Sequence, residues 1–150
     1  MNNEEIYLTK SSEETKNLAR NFVLRSEILL RRTKCPIVLA FYGNLGSGKT
    51  TFIQGLAEGL GIKRRIISPT FIIVRHYKLV KEIFYHIDLY RIETRDDLLG
   101  LGIDEIINDK NNIVAVEWAE KMGDMLPEKR IELHFKYIDE NTREITIKYS

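Results

Sequence analysis

A three-layer α/β/α domain, built on a mixed parallel and antiparallel sheet, is the fold the sequence predicts. Three observations predict it. The run Ile37-Val38-Leu39-Ala40-Phe41-Tyr42 is short, apolar and rich in strand formers, as a buried strand should be. Behind it Phe52, Ile53, Leu56, Ala57 and Leu60 recur at helical spacing, and Gly61 suits the position just past a helix end. Later in the chain the apolar runs alternate with polar residues and pair as hairpins, so strands with helical crossovers and antiparallel pairs share one sheet.

Between the first strand and its helix lies Gly43-Asn44-Leu45-Gly46-Ser47-Gly48-Lys49-Thr50, followed by Thr51. The spacing is that of a phosphate-binding P-loop, in the strand–loop–helix context such a loop requires, so the fold class is that of P-loop NTPases. A polyphosphate needs many donors converging without side chains in the way. Glycines let successive N–H groups turn inward, and the following helix aims its unpaired amides and positive dipole end at the same point. Lys49 can then reach the β/γ phosphates, and the Thr50 hydroxyl can ligate Mg²⁺.

Composition bounds the rest. The chain has 150 residues, enough for one domain (1–150) with a substantial core. A hydrophobic fraction of 43% and a charged fraction of 30% describe a globular protein rather than a disordered one. The formal net charge of +1 supplies no global field for nucleic acid or membrane. Met1-Asn2-Asn3-Glu4-Glu5 lacks the basic and apolar regions of a signal peptide, and no apolar run approaches the roughly 20 residues of a membrane span. The single cysteine, Cys35, excludes an internal disulfide, so a cytoplasmic location is expected.

In chain order, Ile6-Tyr7-Leu8-Thr9 is strand-like, and Ser11 with Glu14 resembles a capping box. Thr15, Leu18, Ala19, Phe22, Leu29 and Leu30 form a helical stripe, closed by the basic cluster Arg31, Arg32, Lys34 and by Pro36. After the P-loop helix, Lys63-Arg64-Arg65 reads as a solvated loop. Two strand-like pieces in Ile66 to Val74 flank Ser68-Pro69-Thr70, and Tyr77 to Glu82 is expected to connect a hairpin. Ile83 to Tyr90 is a further strand. Thr94 or Asp96 caps a short helix through Leu98 and Leu99, Gly100 and Gly102 interrupt it, and Asp104 starts another. Ile113-Val114-Ala115-Val116 is a buried strand ending in Glu117-Trp118. Ile131, Leu133, Phe135, Tyr137 and Ile145, Ile147, Tyr149 alternate about a turn at Asp139 to Thr142.

Ligands of parallel α/β sheets bind beyond the carboxyl ends of the strands. Glu117 and Asp88 therefore stand where a P-loop protein needs its acidic metal or water-orienting residues. Trp118 reads equally as core or as a site contact. His76, His86 and His134 are dispersed and support no metal role.

The Gly-x-Leu-Gly-x-Gly-Lys-Thr-Thr loop, Ser68-Pro69-Thr70-Phe71, His86-Ile87-Asp88-Leu89-Tyr90-Arg91, the stretch Leu98 to Ile106 and Val116-Glu117-Trp118, in this order, resemble the bacterial TsaE family. The resemblance covers nearly the whole chain, and the combination is far more specific than the P-loop alone. It implies an ATPase of tRNA threonylcarbamoyladenosine biosynthesis, acting at position 37 of tRNAs that read codons beginning with A. Such an ATPase works with a threonylcarbamoyl transferase and its paralogous partner subunit, and meets tRNA only through that complex.

Carried over by position, the resemblance implies ATP and Mg²⁺ as cofactors. Asn44, Leu45, Gly46, Ser47, Gly48, Lys49, Thr50 and Thr51 bind the nucleotide, with Ser12 and Arg143 near its base. Thr50 and Glu117 bind the metal, while Lys49, Thr70, Asp88 and Glu117 serve catalysis, Thr70 from a switch-like loop. The chain departs from the family at Asn44, where Asp is usual, and at Ala119, where Pro is usual.

Rival readings are less well supported. Asp97-Leu98-Leu99-Gly100 has the spacing of a GTPase Asp-x-x-Gly but follows no apolar strand, and Asn108-Asp109-Lys110-Asn111 is no guanine reader. A small-molecule kinase needs an arginine-bearing lid, for which Arg64 and Arg65 are too little. A module holding ATP as a structural ligand is the non-enzyme alternative.

Overall fold

The computed structural model describes residues 3–32, 35–66 and 73–149, with side chains throughout except at 26–32. The elements are β1 (Asn3–Thr9), α1 (Ser12–Arg32), β2 (Ile37–Tyr42), α2 (Lys49–Gly59), β3 (Val74–Lys78), β4 (Ile83–Asp88), α3 (Arg95–Leu99), α4 (Ile103–Asn108), β5 (Asn112–Glu117), a 3₁₀ segment (Ala119–Met125), β6 (Ile131–Tyr137) and β7 (Arg143–Tyr149). The strands join in one sheet of order β1-β7-β6-β2-β5-β4-β3. The inner pairs β6–β2, β2–β5 and β5–β4 are parallel, and the outer pairs are antiparallel. This is the mixed sheet that the sequence predicts.

Two apolar layers cover the sheet. On one face α1 and α2 bury Ala19, Phe22, Phe52, Ile53 and Leu56 against Leu39, Phe41, Ala115 and Leu133. On the other, α3, α4 and the 3₁₀ segment bury Leu98, Ile103, Ile107 and Met122 against Val38, Ala40, Val114 and Val116. Every residue of β5 is buried, as expected of a central parallel strand with both faces covered.

Three details position the functional end. Phe41, Phe52 and Phe135 pack as one aromatic cluster, with ring centroids 5.6 to 5.8 Å apart, directly beneath the glycine loop. They lock β2, α2 and β6 to one another where the loop leaves the sheet. α1 crosses α2 so closely that a Cβ on Gly55 would lie 2.5 Å from the Lys16 carbonyl oxygen. α2 then ends as anticipated: Gly61 has φ +88°, its N–H donates to Glu58 O at 3.1 Å, and Ile62 N–H donates to Ala57 O at 2.9 Å.

Several boundaries differ from the sequence expectation. β3 continues through Tyr77 to Lys78, so the hairpin connection is shorter than the polar stretch suggests; Tyr77 is an inward-facing residue beside Phe84. β4 ends at Asp88 rather than Tyr90, because the Asp88 carboxylate accepts the Tyr90 N–H at 3.0 Å and turns the chain. The 3₁₀ segment has no counterpart in the apolar pattern. The loop Ser68-Pro69-Thr70-Phe71, including the candidate residue Thr70, lies outside the described residues, as do Lys34 and the side chains of Leu29, Leu30, Arg31 and Arg32.

Candidate functional site

The carboxyl ends of β2, β5 and β4 meet at one end of the sheet, and the glycine loop runs out of β2. Gly43 begins the turn with φ +146°, and a Cβ there would lie 2.8 Å from both Phe135 O and Ser47 Oγ, so only glycine fits. Asn44 O accepts the Ser47 N–H at 3.2 Å and closes the loop. α2 follows with Gly48 at its N-cap and no side-chain cap, which leaves its first amides facing the cleft.

That cleft has a volume of about 320 Å³. Of the residues singled out from sequence, Ser12, Leu45, Gly46, Ser47, Gly48, Lys49, Thr50, Thr51, Asp88, Glu117 and Arg143 line it together. Asn44 is exposed and not among the lining residues, so it contributes its carbonyl to the loop rather than its side chain to the cleft.

Parallel register sets the two carboxylates. Asp88 of β4 stands beside Glu117 of β5, and Glu117 stands beside Phe41 of β2, all on the face covered by α2. Glu117 is 3% exposed. Its Oε1 accepts the Thr50 hydroxyl at 3.2 Å, while its Oε2 lies 2.7 Å from His86 Nε2. Thr50 and Glu117 thus form an adjacent pair of hard oxygen groups, of the type that could hold Mg²⁺. Beneath the loop, the buried Ser47 Oγ has no hydrogen-bond partner among the described residues. A donor without a partner, a glycine cradle and an uncapped helix start together fit a polyphosphate carrying a divalent cation.

Lys49, the first residue of α2, is buried rather than open to solvent. It is 4% exposed, donates to Gly43 O, and places its Nζ 3.9 Å from the Trp118 ring centroid. Burial pulls the ammonium below the usual lysine range, partly offset by Glu117, Glu120 and Asp88. A buried cation of this kind gains most when an anion arrives.

Trp118 holds its position through unusual backbone. It is the one non-glycine residue with positive φ among the described residues, at φ 59°, ψ 43°. That turn, immediately after Glu117, brings the indole over Lys49 and beside Tyr90, whose ring centroid is 5.3 Å away. A proline at 119 would push residue 118 toward extended backbone, and Ala119 imposes no such restriction. Lys121 braces the same corner, donating to Tyr90 O at 2.6 Å and Ile92 O at 2.9 Å.

The far end of the cleft joins the two ends of the chain. β1 pairs with β7, so the start of α1 faces the β6–β7 turn, and Ser11, Ser12 and Thr15 oppose Glu140, Asn141 and Arg143. Ser11 Oγ accepts the Glu14 N–H at 3.0 Å as the capping pattern anticipates, and Thr9 and Thr15 share a hydrogen bond of 2.7 Å. Arg143 ties the turn to the loop: its Nε donates to Gly46 O at 3.2 Å and its Nη1 to Asp139 O at 2.6 Å, while its guanidinium lies 4.5 Å from the Tyr137 ring centroid.

His86, Tyr90, Ser11, Thr15, Glu140 and Asn141 carry no site role in the sequence analysis. For His86 a signal existed, since a residue two before Asp88 on a strand shares its face. For Glu140 and Asn141 none did, because only strand pairing brings them to α1.

Burial holds the Asp88 carboxyl above the usual carboxylate range; the Tyr90 N–H opposes this and Glu117 adds to it. A folded-state pKa above the unfolded one means that ionised Asp88 costs stability at higher pH. The cost fades as pH falls through the folded value toward the unfolded one near about 4. Asp88→Asn keeps the acceptor for Tyr90 and removes the charge. It is expected to stabilise the free protein by ~1 kcal/mol at neutral pH, with no gain near pH 4. Thermal melts at the two pH values read this directly, and equal melting temperatures at neutral pH would show that Asp88 carries no burial cost.

A family model described as Threonylcarbamoyl adenosine biosynthesis protein TsaE matches residues 9–145. The tRNA threonylcarbamoyladenosine biosynthesis protein TsaE of Bacillus subtilis (strain 168) is 39% identical over 138 residues, covering 92% of this chain and 81% of that protein. The protein of the same description from Rickettsia typhi is 33% identical over 144 residues, covering 95% and 94%. The crystal structure of Bacillus subtilis YdiB superposes with a TM-score of 0.76 at 33% identity, covering 99% of this chain and 87% of that one.

Proposed function

The chain belongs to the TsaE family of threonylcarbamoyl adenosine biosynthesis proteins, and on that premise we propose that it is the Mg²⁺-dependent ATPase of tRNA threonylcarbamoyladenosine formation. The observation that carries the reading is the convergence of Lys49, Thr50, Asp88 and Glu117 on one cleft behind a glycine loop. Loop amides and the start of α2 would hold the phosphates, and Lys49 would turn from Gly43 O toward the β/γ oxygens. Thr50 and Glu117 would hold the metal, which when bound spreads the charge that develops on the transferring phosphoryl group. Asp88, beside Glu117, would orient the attacking water, and Ser12 and Arg143 would border the base.

The reading includes a partner. Phosphoryl transfer is stabilised by cations around the γ-phosphate. Lys49 and Arg143 are the lysine and arginine among the described cleft-lining residues, and Arg143 is engaged with backbone carbonyls. Leu45 is 67% exposed and Tyr90 42% exposed at the cleft mouth, an apolar rim on which another protein could close. We assign that role to the threonylcarbamoyl transferase and its paralogous subunit, with modification at position 37 of tRNAs reading codons that begin with A. tRNA is met through that complex. Among the described residues no helix is long and apolar enough to cross a membrane, and a cytoplasmic location suits a tRNA-modifying assembly.

A steady-state phosphate assay at matched ATP, titrating the purified heterodimer against an albumin control, tests this. The isolated chain is expected to turn over slowly and to gain at least about tenfold with the heterodimer, the scale of one added cation contact. Depletion in the host should remove threonylcarbamoyladenosine from bulk tRNA. A fast isolated enzyme indifferent to the heterodimer would point instead to a self-sufficient kinase or hydrolase, and a response to GTP alone to a GTPase. No phosphate release under any condition would leave a nucleotide-gated binding module.

A further inference from the structure

We propose that His86 is a positioning residue, which holds the Glu117 carboxylate in the orientation that presents its other oxygen beside Thr50. This rests on the reading of Thr50 and Glu117 as the metal-holding pair. His86 is fully buried on β4, two residues before Asp88, at 0% exposure. Its Nε2 lies 2.7 Å from Glu117 Oε2, and its Nδ1 has no hydrogen-bond partner among the described residues. The bond to Glu117 is the ring's one hydrogen bond among the described residues. A buried imidazole costs desolvation that an apolar side chain of similar size would not incur. Among the described residues, the return for that cost is the fixing of Glu117.

The geometry explains why Glu117 needs fixing. A glutamate carboxylate swings about three side-chain torsions, and the last of them is broad. Thr50 alone, at 3.2 Å through Oε1, is a weak tether, and Thr50 would itself turn toward a cation. His86 donates from the strand beside Glu117 to the oxygen that Thr50 does not touch. The ring is in turn immobilised by its complete burial. A carboxylate that accepts from a fixed N–H on one oxygen has the other aimed into the cleft whether or not Thr50 remains bonded to it. Groups that orient metal ligands in this way typically change metal affinity by about 10–100-fold when removed.

The test measures binding rather than turnover. The affinity of a non-hydrolysable ATP analogue is determined by titration calorimetry with Mg²⁺ and with excess chelator, in wild type, His86→Leu and His86→Gln. Leucine keeps the volume and removes the donor, while glutamine carries an N–H the same number of bonds from the backbone. His86→Leu is expected to lose about tenfold or more of the Mg²⁺-dependent gain in affinity, with the chelator value within about twofold of wild type. His86→Gln should restore most of the gain, an outcome that a purely structural role for the ring does not require.

Equal Mg²⁺ dependence in wild type and His86→Leu would overturn the proposal, as would equal losses in the leucine and glutamine variants. If the leucine variant does not fold, His86→Asn replaces it. Its amide falls short of Glu117, so retention of the full Mg²⁺ gain in that variant overturns the proposal and its loss supports it. A wild type that binds the analogue equally well with and without Mg²⁺ would overturn the underlying metal reading instead, and is thereby distinguished.

Discussion

Lys49→Ala is expected to weaken ATP binding by about 10–100-fold and any hydrolysis by about 10²–10³-fold, while the fold persists. The first figure corresponds to losing a charge-assisted contact with the phosphates. The second corresponds to losing a charge aimed at the transferring group. Persistence of the fold follows from the lysine's surroundings. Burial pulls its ammonium below the usual lysine range, so in the free protein the charged form is held at a cost. The sign is definite: with the folded-state pKa below the unfolded one, this cost is present at neutral pH and shrinks as pH rises through the folded value. Removing the charge relieves it, while the contacts of the stem with Trp118 are lost. The two changes oppose, and the melting temperature should move by only about 2–4 °C, the shift of roughly 1 kcal/mol in a chain of this size. Calorimetric titration with ATP, phosphate release and a thermal melt check the three parts separately. Wild-type affinity and release in this variant would remove the basis for reading the loop as a phosphate site.

Glu117→Gln should separate binding from turnover. The amide keeps the shape of the carboxylate but carries no charge, and it presents one acceptor where the carboxylate accepts from Thr50 Oγ1 at 3.2 Å and meets His86 at 2.7 Å. Nucleotide affinity in the presence of chelator should stay within a few fold of wild type, because loop amides and Lys49 are untouched. Mg²⁺-dependent phosphate release should fall by about 10²-fold or more, the scale of removing a preorganised electrostatic group from a phosphoryl-transfer site. Titrations with and without Mg²⁺, paired with release assays in the presence of the heterodimer, provide the measurement. Hydrolysis at the wild-type rate would transfer the acidic role to Asp88, its neighbour across the β4–β5 pair.

The features legible in the chain alone are local. The strand–loop–helix unit from Ile37 to Gly61 was legible because its signals lie within a few residues of one another. These are an apolar run, glycines at turn positions, a helical period and a glycine at the helix end. The closing hairpin was legible for the same reason, since alternation of Ile131, Leu133 and Phe135 with polar residues determines which face is inward. Glu117 was placed at the end of its strand, because the ends of buried parallel strands are where apolar runs stop, while Asp88 ends its strand two residues earlier than the apolar and aromatic run to Tyr90 indicates.

How these pieces meet depends on the strand order. Glu117 touches His86 across 31 residues of sequence and Thr50 across 67, and Arg143 reaches Gly46 across 97. Those contacts follow from the strand order β1-β7-β6-β2-β5-β4-β3, which no local period encodes. The same order buries Lys49 at the start of α2 and sets the start of α1 against the β6–β7 turn. It also lets Trp118 hold a left-handed backbone, because packing against Lys49 and Tyr90 offsets a strain that isolated residues avoid. Local sequence selects backbone and face, where energies depend on neighbours in the chain. The site's charges and hydrogen bonds depend on desolvation, which exists only once distant strands lie side by side.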